Sequence, residues 1–541
     1  NKPGYKRERP APGKYKPCPE HQYRDKKTNR CKNKPGYKRE RPVKTQPRPS
    51  YDKLSRWKDS KKDKRECVKR SEIPLREHQK KVVRYMRDHR SLLVVHGTGT
   101  GKTLTAVTIS QCYLDDNPDN RVVFVGPASL EDNFKKELRK YGVDWLEIAR
   151  HYKFYSFEKF LHITKKGALN GVTEDKDRGK MGWPMVPIGL KNSMLIVDEA
   201  HNTRNPMTAT ARALQVASFK ADKVLLLTAT PFVNSMRDYI PLINMLYGRY
   251  VVGTKKEFRN NVVPDYLSKN PEPSKEDLNT FRNLLQDKVD VVDKNDEKDF
   301  PKRKNYMKYV KMTPAYLKSY TKLMDSQHVA GYFFKQPERF YNGYRRAVNM
   351  AGPEYFSSKV KKAIPYLKKG KALIYSNWLE FGVDPISRAL ENDNVSFRTF
   401  TGRTPKGKRQ EIVNDFNEGK FQVLIVSSAG GEGLDLKGVQ SVVVLDPPWN
   451  DASLEQVVGR AIRYKSHEHL PKNKRVVSVY LMALVDPKVN ISKIGDDTEK
   501  EELSEKTIID SGDLLLYNII KRKGKTEEVL LKALKEMSIT R

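Results

Sequence analysis

The chain has 541 residues, and its 104 Lys+Arg against 66 Asp+Glu leave a formal charge of +38. Domains run roughly 100–200 residues, so the length implies about three units with room for large cores. No run of about 18 consecutive apolar residues occurs, which excludes a membrane-spanning helix. Four cysteines cannot staple a fold of this size and point to a reducing compartment. Asn1-Lys2-Pro3-Gly4-Tyr5 has no apolar core, so no secretory signal is visible; without an initiator Met, a lost leader stays open. Such positive charge calls for a polyanion, with nucleic acid the first expectation and an anionic membrane surface the second.

Residues 1–70 hold 26 Lys+Arg and 8 Asp+Glu, a balance of +18 in one short segment. Nine prolines precede Ser50 and branched aliphatics are almost absent, so this stretch cannot bury a core. We expect a disordered or extended basic arm over 1–70. Its first ten residues, NKPGYKRERP, recur letter for letter at Asn33–Pro42. Between the copies, Cys18, His21 and Cys31 supply three of the four ligands a zinc site needs, with Cys67 remote; thiols in an arm are the alternative. Lysines and arginines interspersed with tyrosine suit a tether on a phosphate backbone, and a solvated tail is the plainer reading.

From Ser71 the text changes to short β-branched runs separated by helical stretches. Ser91–His96, Arg121–Gly126, Met194–Asp198 and Val224–Thr228 are nearly continuous in apolar residues, as in parallel strands covered on both faces. Leu104–Tyr113 and Leu130–Tyr141 have the length and spacing of crossover helices. The pattern restarts with Ala372–Ser376, Val423–Ser427, Val442–Asp446 and Val476–Leu481. The predicted fold class is α/β with two tandem parallel-sheet lobes, at 71–250 and 300–490. Residues 251–299 read as a helical bridge without buried strands, with a flexible connector around Lys294–Lys298. Residues 491–541 turn acidic and then helical, with Thr507–Ile520 and Thr526–Met537 packing on the second lobe.

The sharpest motif is His96-Gly97-Thr98-Gly99-Thr100-Gly101-Lys102-Thr103, which follows a predicted strand and opens a predicted helix. Alternating glycines let backbone N–H groups turn inward around an anion, and the helix N-terminus adds partial positive charge. Lys102 then reaches the β- and γ-phosphates and the Thr103 hydroxyl binds Mg²⁺. His96 stands where the simplest motif has its first glycine. Further on, an apolar strand ends in Asp198-Glu199-Ala200-His201, placing Asp198 near the metal and Glu199 where it can take a proton from attacking water. A tight glycine turn and an acidic strand end are each common alone; together and in order they indicate a nucleoside triphosphatase. Thr228-Ala229-Thr230 ends another strand of the first unit. Gln456-Val457-Val458-Gly459-Arg460-Ala461-Ile462-Arg463 follows a strand of the second, with both arginines on one helix face. If the lobes close on one nucleotide, Arg460 and Arg463 become arginine fingers delivered in cis.

This ordered set resembles the superfamily 2 helicases and translocases over about residues 71–485. Leu75-Arg76-Glu77-His78-Gln79 is similar to that superfamily's adenine-reading element, which makes Gln79 the base contact. The resemblance implies RecA-like lobes with ATP and Mg²⁺ between them. Within Ser427-Ser428-Ala429-Gly430-Gly431-Glu432-Gly433-Leu434-Asp435, it places Gly433 and Asp435 at the nucleotide. A nucleic-acid strand then lies across Pro127, Ser129, Ser156, Ser376, Thr401, Gly402 and Ser428. Asp446-Pro447-Pro448-Trp449-Asn450 resembles the chromatin-remodeller branch. Gly459–Arg463 followed by Ser466-His467 is more similar to ATPases of nucleocytoplasmic large DNA viruses, of the nucleoside triphosphate phosphohydrolase I and early transcription factor small subunit type. The resemblance implies a translocase on DNA in preference to RNA, serving early transcription from virion and host cytoplasm beside RNA polymerase or a transcription factor subunit. A non-viral relative would be cytoplasmic or nuclear. A transcription factor subunit using the ATPase as a switch, and a basic virion protein with an idle motor fold, are the other readings.

Overall fold

The computed structural model describes residues 22–24, 31–33, 66–117, 119–166, 190–229, 235–259, 267, 273–292, 300–328, 345–351, 357–427, 434–448, 451–489 and 512–539. Residues 1–64 and 65–541 form two separate units. In the first, β1 (Gln22–Arg24) and β2 (Cys31–Asn33) pair antiparallel, with Tyr23 opposite Lys32. Cys18 and His21, and with them the metal reading, lie outside the described residues, as does most of the arm.

The second unit contains two parallel six-stranded sheets. The elements of the first lobe are α1 (Glu77–Asp88), β3 (Ser91–His96), α2 (Lys102–Asp116), β4 (Arg121–Gly126), α3 (Ala128–Tyr141), β5 (Tyr152–Ser156), β6 (Ser193–Asp198), β7 (Lys223–Thr228), α4 (Lys275–Leu285) and β8 (Val289–Val292). Its strand order is β5-β4-β6-β7-β3-β8. The second lobe is built on β9 (Lys302–Lys311), β10 (Ala372–Ser376), β11 (Phe397–Phe400), β12 (Val423–Ser427), β13 (Ser441–Val444), α5 (Asp451–Val458) and β14 (Val476–Val485). There the order is β11-β12-β10-β13-β14-β9.

The continuous apolar strands follow from burial on both faces. In β3, Leu93 and Val95 enter one core and Leu92 and Val94 the other. In β10, Ala372 and Ile374 face one core while Leu373 and Tyr375 face its opposite. A strand with solvent on one side would alternate instead. Parallel strands send their C-terminal ends to one edge, and the loops from that edge carry the motifs.

Several expectations need correction. Residues 66–70 belong to the first lobe: Cys67 is buried in its core, and Arg70 pairs with Asp115 of α2. Cys67 and Cys112 form a disulfide with Cα atoms 5.2 Å apart, so one cysteine pair does staple the fold. The bridge is not separate and not strand-free. Phe281 and Leu285 of α4 fill the first lobe's core, and β8 pairs parallel with β3, the strand before the phosphate loop. The connector at 294–298 lies outside the described residues. Over 512–536 the two expected terminal helices are one, α6 (Gly512–Glu536), and it does not stay on the second lobe. Its start packs there, with Lys359 Nζ donating to Asp513 at 2.7 Å and Leu514 and Tyr517 beside Val485. Its end lies in the first lobe, where Leu530, Leu534 and Met537 join the core and Arg282 pairs with Glu536 at 2.8 Å.

Candidate active site

The phosphate loop leaves β3 and returns as α2, with Gly99 and Gly101 at φ 84° and 90°. Those left-handed angles need residues without a β-carbon. Crowding adds a second reason: a β-carbon on Gly99 would stand 3.3 Å from Arg463 Cα of the opposite lobe, and one on Gly459 would collide with the Thr98 hydroxyl. The lobes therefore meet backbone to backbone at this loop. Lys102 Nζ donates to the carbonyls of His96 (2.8 Å) and Gly97 (3.3 Å), folded onto its own loop. Thr100 is buried, its hydroxyl donating to Gly97 O at 2.8 Å.

Asp198 ends β6 beside the loop, and Glu199 follows it. Glu199 is held at φ 51°, a left-handed conformation uncommon for a non-glycine residue and a form of strain that clusters at working sites. Its amide donates to Asp198 Oδ1 at 2.9 Å, and His201 Nδ1 lies 3.3 Å from its carboxylate. His201 Nδ1 is also 3.0 Å from Thr228 Oγ1, which ties the acidic turn to the end of β7. Thr230 lies outside the described residues. Burial pushes the Asp198 carboxyl up to about 7, with the Glu199 charge adding to the rise and Lys102 opposing it.

That shift has a measurable consequence. The neutral carboxyl stabilises the fold fully below the ordinary value of 3.8, and the contribution is lost as pH rises through about 7. Asp198→Asn, a permanent mimic of the neutral form, is expected to raise the thermal midpoint of the nucleotide-free protein at pH 8 but not at pH 4. The expected gain is on the order of a few kcal/mol. Equal shifts at both pH values in scanning calorimetry would show that the carboxyl is ionised at neutral pH.

From the second lobe, Gln456 lies in α5, whereas Arg460 and Arg463 do not. The helix stops at Val458, and the arginines sit on the turns that follow, a correction to the helix-face expectation. Both still reach the cleft. Arg460 is 6% exposed, and burial lowers the Arg463 pKa while Asp435, with a carboxylate oxygen 3.9 Å away, opposes the shift. A cavity of about 570 Å³ is lined by Lys102, Thr103, Asp198 and Glu199 from one lobe and by Gln456, Arg460, Arg463 and Asp435 from the other. Its volume falls in the range that holds small-molecule ligands. Thr98, Gly99 and Gly101 also line it. Gly97 and Thr100 shape the loop from behind, and Gly433 lies outside the described residues.

Gln79 is 2% exposed and turned onto the loop: its amide nitrogen donates to Gly101 O at 3.0 Å and its oxygen accepts from Arg76 N at 2.8 Å. Sequence reasoning missed what stands beside it. The Arg76 guanidinium lies 3.7 Å over the Tyr464 ring, a contact between lobes, and Ile73 and Tyr464 both line the cavity. Tyr464 directly follows Arg463, and that adjacency was the available signal.

Among the described residues, those expected to contact nucleic acid lie at or just beyond C-terminal strand ends. Pro127 and Ser129 follow β4, and Ser156 ends β5 with its hydroxyl accepting from Lys159 N at 3.1 Å. Thr401 and Gly402 follow β11; Thr401 is buried and Gly402 exposed. Ser376 is fully buried and donates to Asp446 Oδ1 at 2.7 Å. Ser428 lies outside the described residues.

A phosphate loop and acidic pair facing a glutamine and two arginines across one cleft fit a two-lobed ATPase. Comparison with known proteins narrows the class. The SNF2-related domain matches residues 78–340 and the helicase conserved C-terminal domain matches residues 358–465. An Acanthamoeba polyphaga mimivirus protein named as an ATP-dependent RNA helicase is 30% identical over 435 residues, covering 77% of this chain and 90% of that one. Nucleoside triphosphatase I of Choristoneura biennis entomopoxvirus is 24% identical over 506 residues, 77% of this chain and 74% of that one. A RAD54-like DNA repair and recombination protein of Drosophila mojavensis is 24% identical over 472 residues, 72% and 58% of the respective chains. The chain belongs to the superfamily 2 helicases, in the SNF2-related group with these viral relatives, and is a nucleic-acid-dependent ATPase. Among the described residues no helix is long and apolar enough to cross a membrane.

Proposed function

We propose that the protein hydrolyses ATP with Mg²⁺ to translocate along duplex DNA without necessarily separating its strands, in the service of viral early transcription. The observation that carries this reading is the shared cavity, with Lys102, Asp198 and Glu199 on one wall and Arg460 and Arg463 on the other. Lys102 swings from the carbonyls it now holds to the β- and γ-phosphates. The residues fit a magnesium ion, because Thr103 and Asp198 offer hard oxygen donors and the buried Asp198 carboxyl lacks a full counter-charge. Bound there, the ion would neutralise charge on the phosphate oxygens. Glu199 orients the attacking water and accepts its proton. Arg460 and Arg463 meet the charge that develops on the transferred phosphoryl group. Hydrolysis removes the charge that holds the lobes together, so each cycle changes the spacing of backbone grips on the two sheets. Gripping phosphates rather than bases makes the movement tolerant of sequence.

The SNF2-related match and the RAD54-like relative favour DNA as the track; the name of the mimivirus relative favours RNA as the second reading. ATPase stimulation by single-stranded DNA, duplex DNA and RNA at fixed salt is the deciding experiment. Greatest stimulation by duplex DNA is expected, and stimulation by RNA alone would overturn the DNA assignment. The viral relatives support a viral origin; the proposed place in the virion and host cytoplasm, with RNA polymerase or a transcription factor subunit as partner, is tested by co-purification.

The basic arm is the sequence-tolerant tether. Deleting residues 1–64, and not 1–70, spares Cys67 and Arg70 of the first lobe. For every phosphate that the truncated protein no longer neutralises, the slope of log K against log salt is expected to flatten by about 0.9, while basal ATPase persists. An unchanged slope would remove the arm from binding.

A further inference from the structure

His96 is where the phosphate loop departs from the simplest glycine pattern, and the apolar sheet around it does not call for an imidazole. Its side chain is fully buried, and Nε2 donates to Asp290 Oδ2 at 2.6 Å. Asp290 is equally buried in β8, the neighbour of β3. Its other oxygen accepts from the Ser538 hydroxyl at 3.1 Å, and Ser538 Oγ accepts from Val291 N at 2.9 Å. Ser538 comes just after α6, and Ile539 N donates to Val289 O at 3.1 Å, so residues 538–539 lie along β8. On the loop side, His96 O is the carbonyl that receives Lys102 Nζ, and Gly97 N donates to Val292 O at 3.0 Å. The connections therefore run without a gap from the residues after α6, through a carboxylate and an imidazole, to the backbone that holds the loop's lysine.

Packing does not explain this arrangement. A buried ionisable pair is often no more stable than apolar side chains of the same volume, so it contributes little that leucine and valine could not. What a directional bond adds is position: the imidazole plane is fixed by its acceptor, and the carboxylate by the serine.

We infer that His96 is a positioning residue for ATP binding. Together with Asp290 and Ser538 it holds the backbone of residues 96–97 in register with Lys102, and the phosphate cradle is complete only when residues 538–539 are docked on β8. This rests on the ATPase reading of the cleft. It adds a regulatory handle, because α6 is rooted in the second lobe at Asp513 and ends beside Ser538 on the first. Displacement of its end would loosen ATP binding through the loop backbone, without any direct contact between α6 and the nucleotide.

Ser538→Ala tests the relay, since it removes one hydroxyl from a residue that does not line the cavity. The ATP KM is expected to rise about five- to tenfold with kcat within about twofold of wild type. Equilibrium binding of a fluorescent, non-hydrolysable ATP analogue should weaken by the same factor, and the thermal midpoint should fall by about a few degrees as Asp290 Oδ1 and Val291 N lose their partner. Ser538→Thr keeps the hydroxyl and should restore both. His96→Gln, whose amide can still donate to Asp290, should lie between wild type and His96→Leu. Should His96→Leu not fold, the serine pair and His96→Gln still decide the matter. Wild-type KM and analogue affinity in folded Ser538→Ala and His96→Gln would overturn the relay while leaving the cleft intact. A wild-type protein that neither binds the analogue nor hydrolyses ATP would overturn the cleft reading itself.

Discussion

Glu199→Gln is expected to stop turnover while leaving ATP bound. The carboxylate lies beside the phosphate loop and lines its cavity, held in place by a left-handed backbone and by His201. An amide of the same shape keeps the contacts but cannot accept a proton. Removal of a positioned general base costs roughly 10²- to 10⁴-fold in rate. Single-turnover kinetics and analogue binding on one preparation separate the two effects. Loss of binding would reassign Glu199 from proton acceptor to a part of the binding surface. Lys102→Ala is the contrasting case: the ammonium is one of the cavity's positive groups beside the loop, so both binding and turnover are expected to fail.

Arg463→Ala should show the larger rate effect with the smaller binding effect. Its backbone already touches the position of Gly99, and its half-buried guanidinium donates through Nε to Gly459 O at 3.3 Å, with an Asp435 carboxylate oxygen 3.9 Å away. A guanidinium supplied to a transferring phosphoryl group contributes about 10³- to 10⁵-fold in rate. The expected result is a fall of that order in kcat with ATP affinity within a few-fold, and Arg463→Lys should not rescue it, because a point charge cannot reproduce the fork. Arg460→Ala should follow the same pattern. A large rise in KM with unchanged kcat would make the pair a ground-state clamp instead.

Both lobes were legible in the sequence because a strand buried on two faces must be apolar at every position, and few other elements are. β3, β4, β6, β7, β10 and β12 announce themselves in this way. β8 did not, since Val289-Asp290-Val291-Val292 is short and carries a carboxylate whose partner, His96, is far away in the chain. β5 was missed for a related reason: Tyr152–Ser156 is an edge strand with a lysine in it, and its neighbour covers only one side. The site residues were readable from local spacing wherever one loop carries the chemistry. Arg76 over Tyr464 was not readable, because the two come together only when the lobes meet.

The sequence by itself determined the doubly buried strands of each lobe, the phosphate loop, the acidic strand end and the arginine pair, since each is a pattern of residues within a few positions of one another. Only the tertiary structure decided which wall of the cleft each group occupies, that Cys67 reaches Cys112, and that α6 leaves one lobe to end in the other. Those outcomes are contacts between distant segments, selected by the burial of whole faces, and no local pattern of residues encodes where a buried face will find its partner.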